Sequence, residues 1–127
     1  MITVGGFNTA IDRLYTLNAL TPGQVQRAAA DPGGKGVHVA QTIADLGEPV
    51  QLVGLTDAVH RNLIARRMSE RGVLFHGVEI AEELRNCLAL RERDGRMTEV
   101  LDPGPLVPPR MRERLLDTLW RCVEDTD

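Results

Sequence analysis

Apolar and polar positions fall into short runs along this chain, and the periods of those runs predict an ordered series of strands and helices. Ile2 to Phe7 is a short apolar, β-prone run that stops at Asn8 and predicts a buried strand. Ile11 to Leu20 alternates loosely as far as the turn signal Thr21-Pro22-Gly23, and Val25 to Ala30 is a second extended candidate, so the two are expected to pair as a small hairpin. Asp31-Pro32-Gly33-Gly34 should continue no regular element. From Val37 to Leu46 the period changes: Val39, Ile43 and Leu46 are spaced for one helix face, and Gly47 stands where a helix C-cap belongs.

The alternation then repeats. Val50 to Leu55 predicts a strand, Arg61 to Arg71 a helix with Ile64 and Met68 on one side and Gly72 as its stop, and Val73 to Val78 another strand. Strand, polar excursion, helix, strand, helix, strand is the order of a parallel α/β sheet. Asn86 to Arg91 and Arg96 to Leu101 flank Arg93-Asp94-Gly95, a hairpin signal. After Pro108-Pro109, the residues Met111, Leu115, Leu119 and Trp120 predict a helix over Met111 to Val123, with proline suited to its first turn. No internal repeat or low-complexity segment interrupts this order.

Composition narrows the classes. A chain of 127 residues with 43% apolar and 26% charged residues can bury a core, which excludes disorder throughout. The net charge is −3 and the arginines are scattered among acids, and aromatic residues are only 3% of the chain. Neither an electrostatic footprint nor a stacking platform for nucleic acid is present. No run approaches a membrane span and the N-terminus lacks a secretory pattern, so the expected location is cytoplasmic. Cys87 and Cys122 lie far apart, outside any Cys-x-x-Cys pattern, and read as reduced thiols; no metal site is indicated.

The sharpest local signal is Asp31-Pro32-Gly33-Gly34-Lys35-Gly36-Val37-His38, a glycine-rich turn running into a helix. Unpaired backbone N–H groups and the positive end of the helix dipole suit such a junction to a polar or anionic ligand, and glycine lets that ligand approach the main chain. Gly36 follows Lys35 where a Walker A loop requires a hydroxyl, and the dinucleotide-binding glycine fingerprint is absent after the first strand. Lys35 is the single lysine beside fourteen arginines, and it sits inside the glycine loop.

Asn8-Thr9-Ala10-Ile11-Asp12-Arg13 resembles the Asn-Pro-Ala-Ile-Asp-Arg opening of the 1-phosphofructokinases, sugar kinases of the PfkB (ribokinase-like) family. Pro22-Gly23-Gln24-Val25-Gln26-Arg27 is similar to their Pro-Gly-Glu-Val-Asn-Arg segment, and Asp31 to Ala40 to their Gly-Gly-Lys-Gly-x-Asn-Val-Ala box. Arg85-Asn86-Cys87-Leu88 and Asp102-Pro103-Gly104-Pro105 stand where that family has Arg-x-Asn or Arg-x-Cys, and Glu-Pro-Gly-Pro. The five matches follow one order and cover nearly the whole chain.

The resemblance implies a ribokinase-like three-layer α/β core, its parallel sheet incomplete here, plus a small antiparallel β-sheet lid built from two excursions, about 11–30 and 86–101. It implies substrate contacts at Asp12, for sugar hydroxyls, at Gly34, Lys35 and His38 lining the sugar pocket, and at Arg85 and Cys87, with Arg85 facing the substrate phosphate. Arg27 is a candidate for reaching a partner subunit's site, the lids pairing two subunits into a homodimer. The family's catalytic Gly-Ala-Gly-Asp aspartate has no counterpart in these residues, so no catalytic residue is assigned. ATP and Mg2+ would be bound mainly by a C-terminal half not included in residues 1–127. The expected parent activity is ATP-dependent phosphorylation of fructose 1-phosphate at its C6 hydroxyl, giving fructose 1,6-bisphosphate. Tagatose 6-phosphate is the alternative substrate, and a non-catalytic sugar-phosphate-binding or regulatory protein the alternative class. Three departures stand out: His38 for the usual asparagine, Thr56-Asp57-Ala58 for a Gly-Gly pair, and Thr9 for a proline.

Overall fold

A computed structural model describes residues 1–24 and 26–124. Three strands, β1 (Ile2–Gly6), β4 (Val50–Asp57) and β5 (Val73–Ile80), form a parallel sheet in the order β1-β4-β5. Every residue of β4 is buried, as befits a central strand flanked on both edges and covered on both faces. Ile2 to Gly6 run beside Val50 to Gly54, and Val50 to Asp57 beside Val73 to Ile80. Because β4 and β5 stay paired out to Asp57 and Ile80, both are two residues longer than their apolar runs suggest. β1 corrects an expectation: it is an edge strand, with Ile2 and Gly5 exposed and only Gly6 buried, since a neighbour covers one side alone.

Helices α1 (Lys35–Asp45) and α2 (Arg61–Glu70) carry the crossovers, and α3 (Pro109–Glu124) packs against β1, β4 and β5. Side chains alternate across β4: Gln51 donates to the Cys122 carbonyl of α3 at 2.9 Å, whereas Leu52 points to the side where Gly36 of α1 meets β1. The result is three layers, with α3 on one face of the sheet and the crossover helices on the other. Ile64 and Met68 of α2 are fully buried, as their spacing predicts, and each stabilises the core by roughly 1.5–3 kcal/mol. Gly47 and Gly72 end α1 and α2 with positive φ. No helix among the described residues is long and apolar enough to cross a membrane.

A second sheet of four strands stands beside this core in the order β3-β2-β6-β7, from β2 (Ala10–Leu17), β3 (Ala29–Gly33), β6 (Arg85–Glu92) and β7 (Met97–Leu101). It unites the two excursions, but it is mixed rather than antiparallel: β2 and β6 run parallel along their whole lengths. Both leave the core in the same direction, so they must enter the lid side by side. The β2–β3 hairpin also differs from its expected form. Its second strand lies further along, pairing Ala29 to Gly33 with Leu14 to Ala10, and therefore includes Asp31-Pro32-Gly33. Proline is tolerated there because β3 is an edge strand, where a missing N–H breaks no inner ladder. Val25, the expected start of that strand, lies outside the described residues.

Candidate functional site

Register builds one wall of a cavity from residues far apart in sequence. Asp12 of β2 stands opposite Asp31 of β3 on one side and Cys87 of β6 on the other, and Cys87 stands opposite Leu101 of β7. Residues directly opposite one another share a face. The inner face of the lid therefore presents Asp31, Asp12, Cys87 and Leu101 as one row, with Arg85 and Ala89 two positions away on either side of Cys87. The facing wall is the start of α1. Between them is a cavity of about 560 Å³ whose lining includes Asp12, Asp31, Gly34, Lys35, His38, Arg85, Cys87, Glu99 and Leu101. That volume lies within the roughly 300–1,000 Å³ of small-ligand sites.

The cavity brings together six of the seven residues singled out from the sequence: Asp12, Gly34, Lys35, His38, Arg85 and Cys87. Arg27 is not among its lining; its side chain is exposed on the connection between β2 and β3. Asp31, Glu99 and Leu101 were not anticipated. The alternation along β7 puts Glu99 and Leu101 on one face, but only the β2–β6 pairing, across 75 residues, reveals that it is the face of Asp12.

Local chemistry suits an anionic, hydroxyl-bearing ligand. α1 starts at Gly34, φ 95°, with no side chain capping its first turn and no acid within it. The start of α1, where N–H groups lack intrahelical partners and the dipole is positive, thus lines the cavity together with the exposed Lys35. Arg85 is half-buried, and its Nε is buried without a hydrogen-bond partner. A guanidinium held this way is costly unless an acceptor meets it. Lys35 and Arg85 also line a smaller cavity of about 350 Å³ with Gly5, Gly6 and Asn8 at the carboxyl end of β1.

The Asp12 carboxylate is set from two sides. His38 Nε2 lies 3.2 Å from its Oδ2, so the residue that replaces asparagine in the motif still holds the carboxylate. Gly33, behind it, leaves no space for more: a Cβ there would overlap the Asp12 carboxyl group. Burial, with the negative charges of Asp12 and Asp102, raises the Cys87 thiol above its ordinary value although Arg85 opposes this. Cys87 is therefore a neutral thiol in the wall rather than a thiolate nucleophile. Beyond the Asp12–His38 pair lies a polar groove where Arg67 Nε sits 2.9 Å from Asp31 Oδ1, an ion pair without hydrogen-bond alignment that ties α2 to β3.

At Thr56-Asp57-Ala58 the structure places a buried carboxylate where the motif has glycines. Burial alone would raise the Asp57 carboxyl, but hydrogen bonds from the Leu84 N–H, the His60 ring and the His60 N–H outweigh it and hold the group below its ordinary value. Among the described residues no group of three His, Cys, Asp or Glu side chains is placed to hold a metal ion.

No family model matches the sequence. The fold, however, is that of known sugar kinases. An enzyme from Thermotoga maritima described as a possible 1-phosphofructokinase superposes with a TM-score of 0.87 at 19% identity, covering 100% of this chain and 42% of its own. Phosphofructokinase-2 from Escherichia coli, solved in complex with fructose 6-phosphate, gives 0.84 at 18% identity, covering 94% and 41%. Ribokinase from Thermotoga maritima gives 0.64 at 23% identity, covering 82% and 36%. The chain has the ribokinase-like α/β fold with its second sheet, and spans less than half the length of each of these proteins.

Proposed function

We propose that this chain is the sugar-phosphate-binding half of an ATP-dependent carbohydrate kinase of the PfkB family, with fructose 1-phosphate as the substrate phosphorylated at its C6 hydroxyl. The observation that carries this reading is the convergence of Asp12, Lys35, His38 and the unpaired Arg85 Nε on one cavity at the uncapped start of α1. Asp12 accepts hydrogen bonds from sugar hydroxyls, and His38 keeps its carboxylate turned toward them. Arg85 and Lys35 hold the phosphate, the guanidinium by its fork and the ammonium as a point charge. The lid closes over the ligand and limits water.

Phosphoryl transfer is mainly positioning and charge stabilisation around both substrates. In this reading the residues here supply the acceptor side of that arrangement; among the described residues no group of three His, Cys, Asp or Glu is placed to hold a metal ion. ATP, Mg2+ and the base belong, in this reading, to polypeptide outside these 127 residues, and the chain alone should release no ADP from ATP in the presence of fructose 1-phosphate. Pairing of two subunits through the lid, with Arg27 reaching across, belongs to the same reading; Met97, Val100 and Leu101 are exposed on its edge strand β7. Tagatose 6-phosphate also carries one phosphate and a set of ring hydroxyls, but with the phosphate on C6 and the C4 hydroxyl inverted, so titration decides between the sugars.

The test is calorimetric titration of the 127-residue chain with fructose 1-phosphate, tagatose 6-phosphate, fructose 6-phosphate and inorganic phosphate. Fructose 1-phosphate should bind most tightly, and Asp12→Ala and Arg85→Ala should each weaken it about tenfold or more, the scale of one charge-assisted hydrogen bond. Equal binding of all four ligands, or indifference to both substitutions, would remove the assignment.

A further inference from the structure

Both crossings from the core to the lid are fastened to the same place, the carboxyl end of β4. On the first, the chain leaves β1 at Gly6 and enters β2 at Ala10; Thr9, only 1% exposed, lies between them. Its Oγ1 accepts the Leu55 N–H at 3.1 Å and donates to the Gly6 carbonyl at 3.3 Å. On the second, the chain leaves β5 at Ile80 and enters β6 at Arg85, and Leu84, 2% exposed, donates its N–H to Asp57 Oδ2 at 2.7 Å. Asp57 is itself 2% exposed. Its Oδ1 accepts the His60 N–H at 2.6 Å, and His60 Nδ1 lies 2.9 Å from Oδ2. The residues directly after the two anchored positions, Ala10 and Arg85, form the first register pair of β2 with β6. The parallel centre of the lid therefore begins one residue from the anchors.

We propose that Asp57 is a positioning residue for the cavity: by holding Leu84 to the end of β4 it sets where Arg85 and β6 start, and, with Thr9 doing the same for β2, it fixes the lid against α1. The carboxylate is specific to this task. Two main-chain N–H groups and a ring nitrogen converge on its two oxygens. An amide has one acceptor oxygen, and its NH2 would face a buried donor, leaving that donor unpaired. The geometric part of the proposal is independent of the ligand; its binding consequence rests on the sugar-phosphate reading.

The experiment uses the isotopically labelled 127-residue chain, wild type, Asp57→Asn, and Glu79→Gln as a surface control on β5. Residual dipolar couplings report the orientation of the lid strands relative to the core sheet, amide exchange reports the anchors, and fructose 1-phosphate titration reports the site. Asp57→Asn should keep the core resonances of β1 and β4, reorient β2 and β6, and weaken binding about tenfold, while Glu79→Gln should do none of these. A lower unfolding midpoint with unchanged lid orientation and unchanged affinity would show a merely structural aspartate and overturn the proposal. Should Asp57→Asn not fold, the wild type decides alone: the Leu84 and Leu55 amides must exchange as slowly as Leu52 at the centre of β4, and exchange as fast as β7 refutes the anchors. Should wild type bind no fructose 1-phosphate, the functional reading fails, and the couplings still judge the latch.

Discussion

Asp57 shows how one residue type changes the physics of a position. Its carboxyl binds a proton less readily folded than unfolded, because three donors satisfy the ionised form despite burial. Such a group makes a stabilising contribution that is complete above the ordinary aspartate value of 3.8 and is lost as pH falls through the lower folded value. Wild type should therefore exceed Asp57→Asn in urea midpoint at neutral pH, and the gap should narrow below that value. A gap of constant size across the acid range would show that the carboxylate charge contributes nothing. At single positions the sequence indicated which residues would share a cavity, and the structure does place them along one. Asp12, Lys35 and Arg85 could be picked out because each sits inside a short motif. Asp57 appeared there only as a departure: His60 is a local partner three residues on, but Leu84, 27 residues away, is joined to it by folding alone.

The elements were legible where one period governed them. Ile64 and Met68 in α2, and Leu115 and Leu119 in α3, face the core as the helical spacing predicts, but Val39 and Leu46 of the face expected for α1, and Trp120 of α3, are exposed, and α1 buries Val37 and Ala40 instead. Elements failed where pairing overrode local preference: Pro32 inside β3, the exposed edge of β1, and the parallel β2–β6 pair all depend on neighbours that no window of sequence contains. The junction of α1 with β1 gives an element-scale prediction. A Cβ on Gly36 would lie against the Cα of Gly6, backbone on backbone, so the helix could accept alanine only by moving off the strand. Gly36→Ala should destabilise the chain by about 1–3 kcal/mol, the range of overpacking, despite alanine's better helix propensity. It should also displace Lys35 and the first turn of α1, weakening fructose 1-phosphate more than loss of the Lys35 charge alone. Denaturant unfolding together with titration of Gly36→Ala and Lys35→Ala tests both; an unchanged midpoint would mean that α1 and β1 are not held as closely as they stand.

At the scale of the whole molecule, the same sequence builds a cavity beneath the lid and, among the described residues, leaves apolar side chains grouped on the surface in two places that bear on association. One is the lid edge, where Met97 and Val100 of β7 are exposed, Leu101 belonging to the cavity wall. The other lies along α3, which carries a second stripe: Met111, Leu115 and Leu119 pack inward, while Leu116, Trp120 and Val123 recur at helical spacing on the outside. Phe7, at the end of the unpaired edge of β1, joins Leu116 around an apolar cavity of about 280 Å³. An open strand edge beside an apolar helix face favours association. A single self-complementary surface closes into a dimer, whereas two separate ones allow growth beyond it. The 127-residue chain should therefore form species larger than a dimer, visible in sedimentation velocity as concentration rises. Trp120→Glu should close the α3 surface and leave dimers paired through the lid, Val100→Glu should leave dimers paired through α3, and the double variant should be a monomer. A wild-type monomer at high concentration, or a Trp120→Glu profile identical to wild type, would show that the outer stripe of α3 is not an association surface in this chain.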